Sequence, residues 1–190
     1  MKTLWLDTET GGLIPGKSPI LTMAGIIEIN NVVKEEFYFK IKPLPGQIVE
    51  EGALKVNGLT HAEIATFEEP RIVKDKLNTI LGKYCDKFDR NDKYVPAGHN
   101  TKFDIDKMLT PFYELQGDKF LFSWLDYHYV DTMAIALLLR KQGWINVPNV
   151  RLETMCQHFG IPIKAHNAQE DIRATRTLWY KIMEHLKYNP

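Results

Sequence analysis

Cysteine is nearly missing from this chain: Cys85 and Cys156 are the two it has in 190 residues, and neither belongs to a C-x-x-C pair. That excludes a disulfide-stapled scaffold and a zinc ribbon, and the expectation is two reduced thiols, with Cys156 inside an amphipathic helix. Long apolar runs are missing too. None approaches the roughly 18 residues that a membrane helix needs, and acidic residues arrive by position 7, against a secretory signal. No membrane partner is expected, and the cytoplasm is the expected compartment. Excess charge of either sign is absent, since 24 Lys and Arg balance 24 Asp and Glu. A neutral protein lacks a long basic footprint, so any nucleic acid it binds is gripped over a few nucleotides. Repeats, low-complexity tracts and linkers are absent as well, and 44% hydrophobic residues suit one packed core, so residues 1–190 read as a single domain.

Against these absences stand three acidic stretches. In LWLDTETGGL, a short apolar run followed by Gly-Gly reads as a buried strand ending in a turn. Side chains two apart share a face, so Asp7 and Glu9 project together from the strand end while Thr8 points oppositely. Carboxylates held close raise each other's pKa unless a cation offsets them, and hard oxygen ligands suit Mg²⁺ or Mn²⁺. Alone, such a pair reads better as an acidic strand end facing water. In AGHNTKFDID a short strand leads into a helix starting near Asn100, whose apolar stripe is Ile105, Met108, Leu109, Phe112 and Leu115. Asp104 lies at the edge of that stripe. Asp106 falls about 200° further round and reads as a solvated charge.

The third stretch is KAHNAQED. Asn167 followed by Glu170 resembles a capping box, which puts Asn167 at the N-cap, His166 just before it and Asp171 at the fourth helical position. Those flanking positions meet in a hydrophobic staple, so imidazole and carboxylate are brought together; a surface ion pair is the other reading. A histidine near its reference pKa of about 6.5 accepts a proton from water at neutral pH.

The rest of the chain reads as alternating strands and helices. ILTMAGIIEI and VVKEEFYFKIK form strands two and three around an Asn30-Asn31 turn, completing an antiparallel meander. Thr60 and Glu63 form a capping box opening a short helix, and a lysine-rich helix covers about 70 to 89. YVPAG is strand four and FLFSWLDYHYVD strand five, with Phe120, Phe122 and Trp124 alternating as core-facing aromatics. Helices at about 132 to 142, 151 to 159 and 168 to 187 end the chain. Lys17, Lys102, Lys164 and Arg173, near the motifs, are candidate phosphate contacts.

DTET with Gly-Gly-Leu, then HNTKFD, then HNAQED, in that order and with connectors such as VNGLT, VDT and LETMCQHFGI, resemble the DnaQ-like exonucleases of the DEDDh type. The resemblance covers most of the chain. It implies an α/β, ribonuclease-H-like fold: a five-stranded mixed sheet flanked by helices. It further implies a 3′ to 5′ exonuclease that hydrolyses phosphodiester bonds of single-stranded nucleic acid, DNA favoured, to nucleoside 5′-monophosphates. The catalytic set carried over is Asp7, Glu9, Asp104, His166 and Asp171. Of these, Asp7, Glu9, Asp104 and Asp171 are implied to hold two divalent cations, Mg²⁺ or Mn²⁺, and His166 to be the general base. Thr10, Gly11, Leu13 and Phe103 are implied to bind the 3′ end. The implied partner is a single-stranded 3′ terminus; a polymerase or a second copy is left open, and so are RNA trimming and a non-catalytic binding module. Two departures stand out. Gly11 replaces a hydroxyl-bearing family residue, and strand two carries Met23-Ala-Gly where many relatives have an acidic residue.

Overall fold

A computed structural model describes residues 1–163 and 167–188. Its centre is a five-stranded mixed sheet in the order β3-β2-β1-β4-β5, built from β1 (Lys2–Thr10), β2 (Ile20–Ile29), β3 (Val32–Lys40), β4 (Tyr94–Gly98) and β5 (Val130–Asp131). β1, β2 and β3 pair antiparallel, whereas β4 and β5 join parallel to β1 and to each other. The β2–β3 hairpin turns at Asn30 and Asn31, with φ of 51° and 66°. Both are left-handed, the geometry a two-residue hairpin needs and asparagine tolerates. Helices α1 (Glu51–Asn57), α2 (His61–Ile64), α3 (Pro70–Gly82), α4 (Thr110–Glu114), α5 (Thr132–Lys141), α6 (Leu152–His158) and α7 (Ala168–Tyr188) flank the sheet. The capping box of α2 forms as expected: Glu63 N–H donates to Thr60 Oγ1, and Thr60 N–H to Glu63 Oε2 at 2.8 Å.

The period of two along β1 divides the core. Leu4 and Leu6 join α3 and the segment after β4 in the largest apolar cluster, while Trp5 faces Ala168, Ile172 and Trp179 of α7. Asp7 and Glu9 continue the Trp5 face, so they look toward α7. Polar clamps fix the placement of α7. Arg176 and Tyr180 both bond the buried Glu28 of β2, the tyrosine hydroxyl at 2.7 Å, and Arg173 holds Glu36 of β3 at 2.9 and 2.7 Å. Cys85 and Cys156 are buried free thiols. No helix among the described residues is long and apolar enough to cross a membrane.

Several elements differ from the reading of the sequence. Strand five shrinks to two residues. Asp118 accepts from Phe120 N–H, a 3₁₀ turn occupies Leu121–Ser123, and Asp126 accepts from His128 N–H. These local side-chain bonds compete with a ladder, leaving one bridge, Leu125 to Tyr94. The aromatics therefore do not alternate into the core: Trp124 is buried, but Phe120 is 72% exposed. The lysine-rich helix stops at Gly82 rather than 89, because Asp86 and Asp89 each turn the following chain by accepting the N–H two residues on, from Phe88 and Asn91, while Asp92 reaches back to accept from Asp86 N–H. After β4 the chain winds as a π-helix over Phe103–Leu109 before α4. Ile105, Met108, Leu109 and Phe112 are buried as expected, but Leu115 lies beyond the end of α4 and is exposed. Asp106 is half-buried and accepts from the Tyr129 hydroxyl, so it is not a freely solvated charge.

Candidate active site

β1 outruns its parallel neighbour. The β1–β4 ladder ends at Trp5↔Ala97, while pairing with β2 continues through Asp7↔Ala24 and Glu9↔Thr22. From residue 6 onward one edge of β1 is thus free of strand partners, at the carboxyl end of the parallel strands, where open α/β sheets bind ligands. The Thr8 N–H on this stretch needs an acceptor. Asp104 supplies it: Oδ1 accepts from Thr8 N–H at 2.9 Å and from Thr8 Oγ1 at 2.6 Å. Thr8, on the face opposite Asp7 and Glu9, is thereby the residue that docks the π-helix against β1. The sequence reading gave it no role, although its place between two acids was the available signal.

Asp7, Glu9 and Asp171 each bring a carboxylate oxygen to within 4.8 Å of the others. Asp104 is buried beside them but belongs to the Thr8 contact rather than to that tight set. Burial pushes the Asp7 carboxyl well above its ordinary value, and the charges of Asp104, Asp171 and Glu9 push it further. Burial also raises Asp104, against the two Thr8 bonds, which favour its charged form. Such a cluster is costly unless a cation offsets it. Close carboxylates with hard oxygen donors fit a divalent ion such as Mg²⁺ or Mn²⁺.

Asp171 is delivered by the start of α7. Asn167 caps it as expected: Oδ1 accepts from Gln169 N–H at 3.0 Å and Glu170 N–H at 3.3 Å, and its carbonyl from Asp171 N–H at 2.9 Å. His166 and Lys164 lie outside the described residues. Glu170, the other half of the expected capping box, pairs with Arg173 at 3.6 Å. Arg173, still 46% exposed, is paired with Glu36; Lys17 and Lys102 are exposed.

The turn after β1 is tightly built. Thr10 Oγ1 donates to Gly12 O at 2.7 Å, and Asn57 Nδ2 donates to Thr10 O at 3.0 Å. Gly11 N–H donates to Pro19 O at 2.8 Å, while its carbonyl accepts from Glu50 N–H at 2.7 Å. A Cβ at Gly11 would lie 2.8 Å from Pro19 Cγ and 2.9 Å from Cδ. Glycine is therefore matched to the Pro19 ring, which explains the departure noted in the sequence. Leu13 projects, 70% exposed, and Phe103 is half-buried against the core.

Two further residues shape the approach to Asp104. Asp131 caps α5 through Met133 N–H at 2.9 Å and also accepts from Asn100 N–H at 3.0 Å and Thr101 N–H at 3.1 Å. That holds Asn100 at φ 73°, a conformation costly for most residues. His99 meets Thr132 Oγ1 through Nδ1 and the Val150 carbonyl through Nε2, both at 2.9 Å. Since a carbonyl only accepts, Nε2 carries the proton. Burial holds the His99 imidazole below its ordinary pKa. Asp131 sits in the VDT connector and His99 is the first residue of the HNTKFD motif, but nothing in their spacing revealed this joint.

A family model described as RNase T, exonuclease, matches residues 4–178. Solved structures share the ribonuclease-H-like fold. One of exonuclease I from E. coli in complex with a dT13 oligonucleotide has 24% identity and a TM-score of 0.75, covering 97% of this chain and 40% of its own. A product-bound exonuclease I has 21% identity and a TM-score of 0.77, with 98% and 45% covered. A structure of SSB and exonuclease I in complex with the inhibitor CFAM has 22% identity and a TM-score of 0.76, with 98% and 43% covered. The chain thus spans less than half the length of these structures. No curated protein sequence matches it significantly.

Proposed function

The chain belongs to the RNase T exonuclease family, and from that premise we propose that it removes nucleotides from the 3′ end of single-stranded DNA, releasing nucleoside 5′-monophosphates. The observation that carries the reading is the set of Asp7, Glu9 and Asp171 oxygens within 4.8 Å of one another. Asp7, Glu9 and Asp171, with Asp104 alongside, are the residues that would hold two divalent cations, Mg²⁺ or Mn²⁺. Bound there, the ions supply positive charge against the phosphoryl oxygens and acidify water.

The chain's own groups do the rest. Asp7 and Glu9, fixed on a strand braced by β2, hold their carboxylates without reorganisation during the reaction. Thr8 fixes the Asp104 carboxylate by two hydrogen bonds, so its lone pairs face a set direction. His166 takes the proton from the attacking water, a step worth about 10² to 10⁴ in rate. Thr10, Gly11, Leu13 and Phe103 line the 3′ terminus, the tight turn keeping Thr10 and Gly11 close to the sugar. The neutral total charge agrees with a short grip on the strand. Neighbouring structures of exonuclease I are complexes with dT13 and dA16 oligonucleotides, which supports DNA as the polymer.

The test is incubation of 5′-labelled DNA and RNA oligomers with Mg²⁺ or Mn²⁺, with and without EDTA. The expected result is a one-nucleotide ladder on DNA, lost in EDTA and in Asp7→Ala protein. Oligomers left intact under every metal condition, or Asp7→Ala protein as fast as the parent, refute the reading.

A further inference from the structure

The face of the sheet that carries the carboxylates continues past β2 onto β3. Cross-strand pairing runs Trp5↔Ile26↔Glu36, Asp7↔Ala24↔Tyr38 and Glu9↔Thr22↔Lys40, and directly opposed side chains share a face. Glu36 shows which face this is, since it meets Arg173 of α7. Tyr38 therefore looks toward α7 from two strands beyond Asp7, and its ring packs against the cluster of Trp5, Ala24, Ala168 and Ile172, around the first turn of the helix that brings Asp171. Thr22 is buried directly across from Glu9, at 4% exposure. Its hydroxyl is hidden from solvent and completes no hydrogen bond of ordinary length among the described residues, a costly state for a buried polar group. The group beside it is the phenol of Tyr38, its diagonal neighbour on β3, at a separation that aromatic side chains span. Burial raises the Tyr38 phenol above its ordinary value, the Thr22 hydroxyl opposes that, and the negative charge of Glu9 adds to it. The phenol thus keeps its proton and is a donor.

Resting on the cation site of the exonuclease reading above, we propose that Tyr38 and Thr22 are positioning residues, whose two hydroxyls form a relay behind Glu9 that holds its carboxylate turned to the cations. The chemistry fits in one direction. A carboxylate accepts, a phenol that keeps its proton donates, and a threonine hydroxyl accepts from one partner while donating to another. Tyr38 O–H donates to Thr22 Oγ1, and Thr22 O–H donates to Glu9. Carboxylates that ligate a metal are commonly fixed by such outer donors, and losing one weakens metal binding. Asp104 has its donor in Thr8. The Tyr38–Thr22 pair serves Glu9 in the same way, from the β2 side of β1. A phenyl ring would fill the same space in the cluster, so the hydroxyls are what the relay adds to packing.

The experiment measures Mn²⁺ binding by titration calorimetry, without DNA, for the parent, Tyr38→Phe, Thr22→Val, the double variant and Thr22→Ser. Tyr84→Phe is the control, because its lost hydroxyl bonds Glu35 on the opposite face of the sheet. Tyr38→Phe keeps the ring, Thr22→Val keeps the shape, and Thr22→Ser keeps the hydroxyl. The Mn²⁺ Kd is expected to rise about tenfold in Tyr38→Phe and in Thr22→Val and by no more in the double variant, since the two act in series. It stays at the parent value in Thr22→Ser and Tyr84→Phe, and KM for dT12 at saturating metal does not move. An unchanged Kd in Tyr38→Phe or in Thr22→Val overturns the relay, as do additive losses in the double variant or an equal loss in Tyr84→Phe. A raised KM for dT12 with Mn²⁺ binding intact puts the phenol on the substrate and overturns it as well. Parent protein that binds Mn²⁺ but leaves every oligomer intact overturns the exonuclease reading and spares the relay, whereas parent that binds no Mn²⁺ overturns both.

Discussion

Replacing Asp7 by asparagine should stabilise the metal-free protein and remove its stabilisation by metal. Asp7 shares a space in which three carboxylate oxygens lie within 4.8 Å; at an effective dielectric of about 20, each pair of full charges at that distance repels by about 3 kcal/mol. The protein relieves part of this by keeping a proton, since burial and its acidic neighbours hold the Asp7 carboxyl well above its usual range. The native state then binds a proton that the unfolded chain has released, so this group's contribution to stability falls as pH rises through the raised value. The gain from Asp7→Asn is largest on the alkaline side. At about pH 8 in EDTA we expect a gain of about 1–2 kcal/mol, or about 2–8 °C in Tm for a protein of this size. Saturating Mg²⁺ should raise the parent by about 3 kcal/mol at a hundredfold excess over Kd, and the variant by less than half of that. Scanning calorimetry with and without Mg²⁺, alongside turnover of a labelled oligomer, reads both effects. A carboxylate with a purely structural role would lose stability on replacement under both conditions. A lower Tm for the variant in EDTA, or an equal response to Mg²⁺, refutes the reasoning.

Two other perturbations follow from the same geometry. Burial holds the His99 imidazole below its ordinary pKa, so the unfolded chain takes up a proton first as pH falls below about 6.5 and stability declines there; His99→Gln should cost about 1–2 kcal/mol at neutral pH and flatten Tm against pH between about 6.5 and 5. A parent whose Tm is as flat as the variant's in that window would contradict the buried neutral state. Gly11→Thr, which restores the family's hydroxyl, drives a Cβ to 2.8 Å from Pro19 and should cost about 1–3 kcal/mol; adding Pro19→Ala should recover most of it, as urea midpoints would show, and a neutral single variant would mean that the ring yields.

The sequence carried the meander, β4 and the helical segments because each has a local signature. The Asn-Asn turn, the Thr60–Glu63 box and the alternation of Leu4, Trp5 and Leu6 need nothing distant to specify them. What it did not carry were elements decided by competition. FLFSWLDYHYVD has the aromatic content of a strand, yet Asp118 and Asp126 capture backbone N–H groups on either side of Trp124, and their local bonds are made before any partner strand is reached. The π-helix is likewise invisible to a search at a period of 3.6, since its register is set from outside, by the Thr8–Asp104 bond and by Asp131 holding residues 100 and 101.

The candidate site divides along the same line. Asp7 and Glu9 sharing a face follows from strand geometry alone, and Asn167 starting α7 follows from local capping. That α7 then lays Asp171 over Asp7 is a long-range result. It depends on Glu28, the one charged residue of β2 and a buried one, which Arg176 and Tyr180 reach from the helix. An unpaired charge there would be expensive, so among ways of sliding α7 along β2 the one that satisfies Glu28 is strongly preferred. Arg173 adds a second pin on Glu36. Asp171 lies two residues before Arg173, so these pins fix which turn of the helix meets the strand end. The acidic residue in ILTMAGIIEI thus does for the site what the motif residues cannot: it sets the register by which they meet.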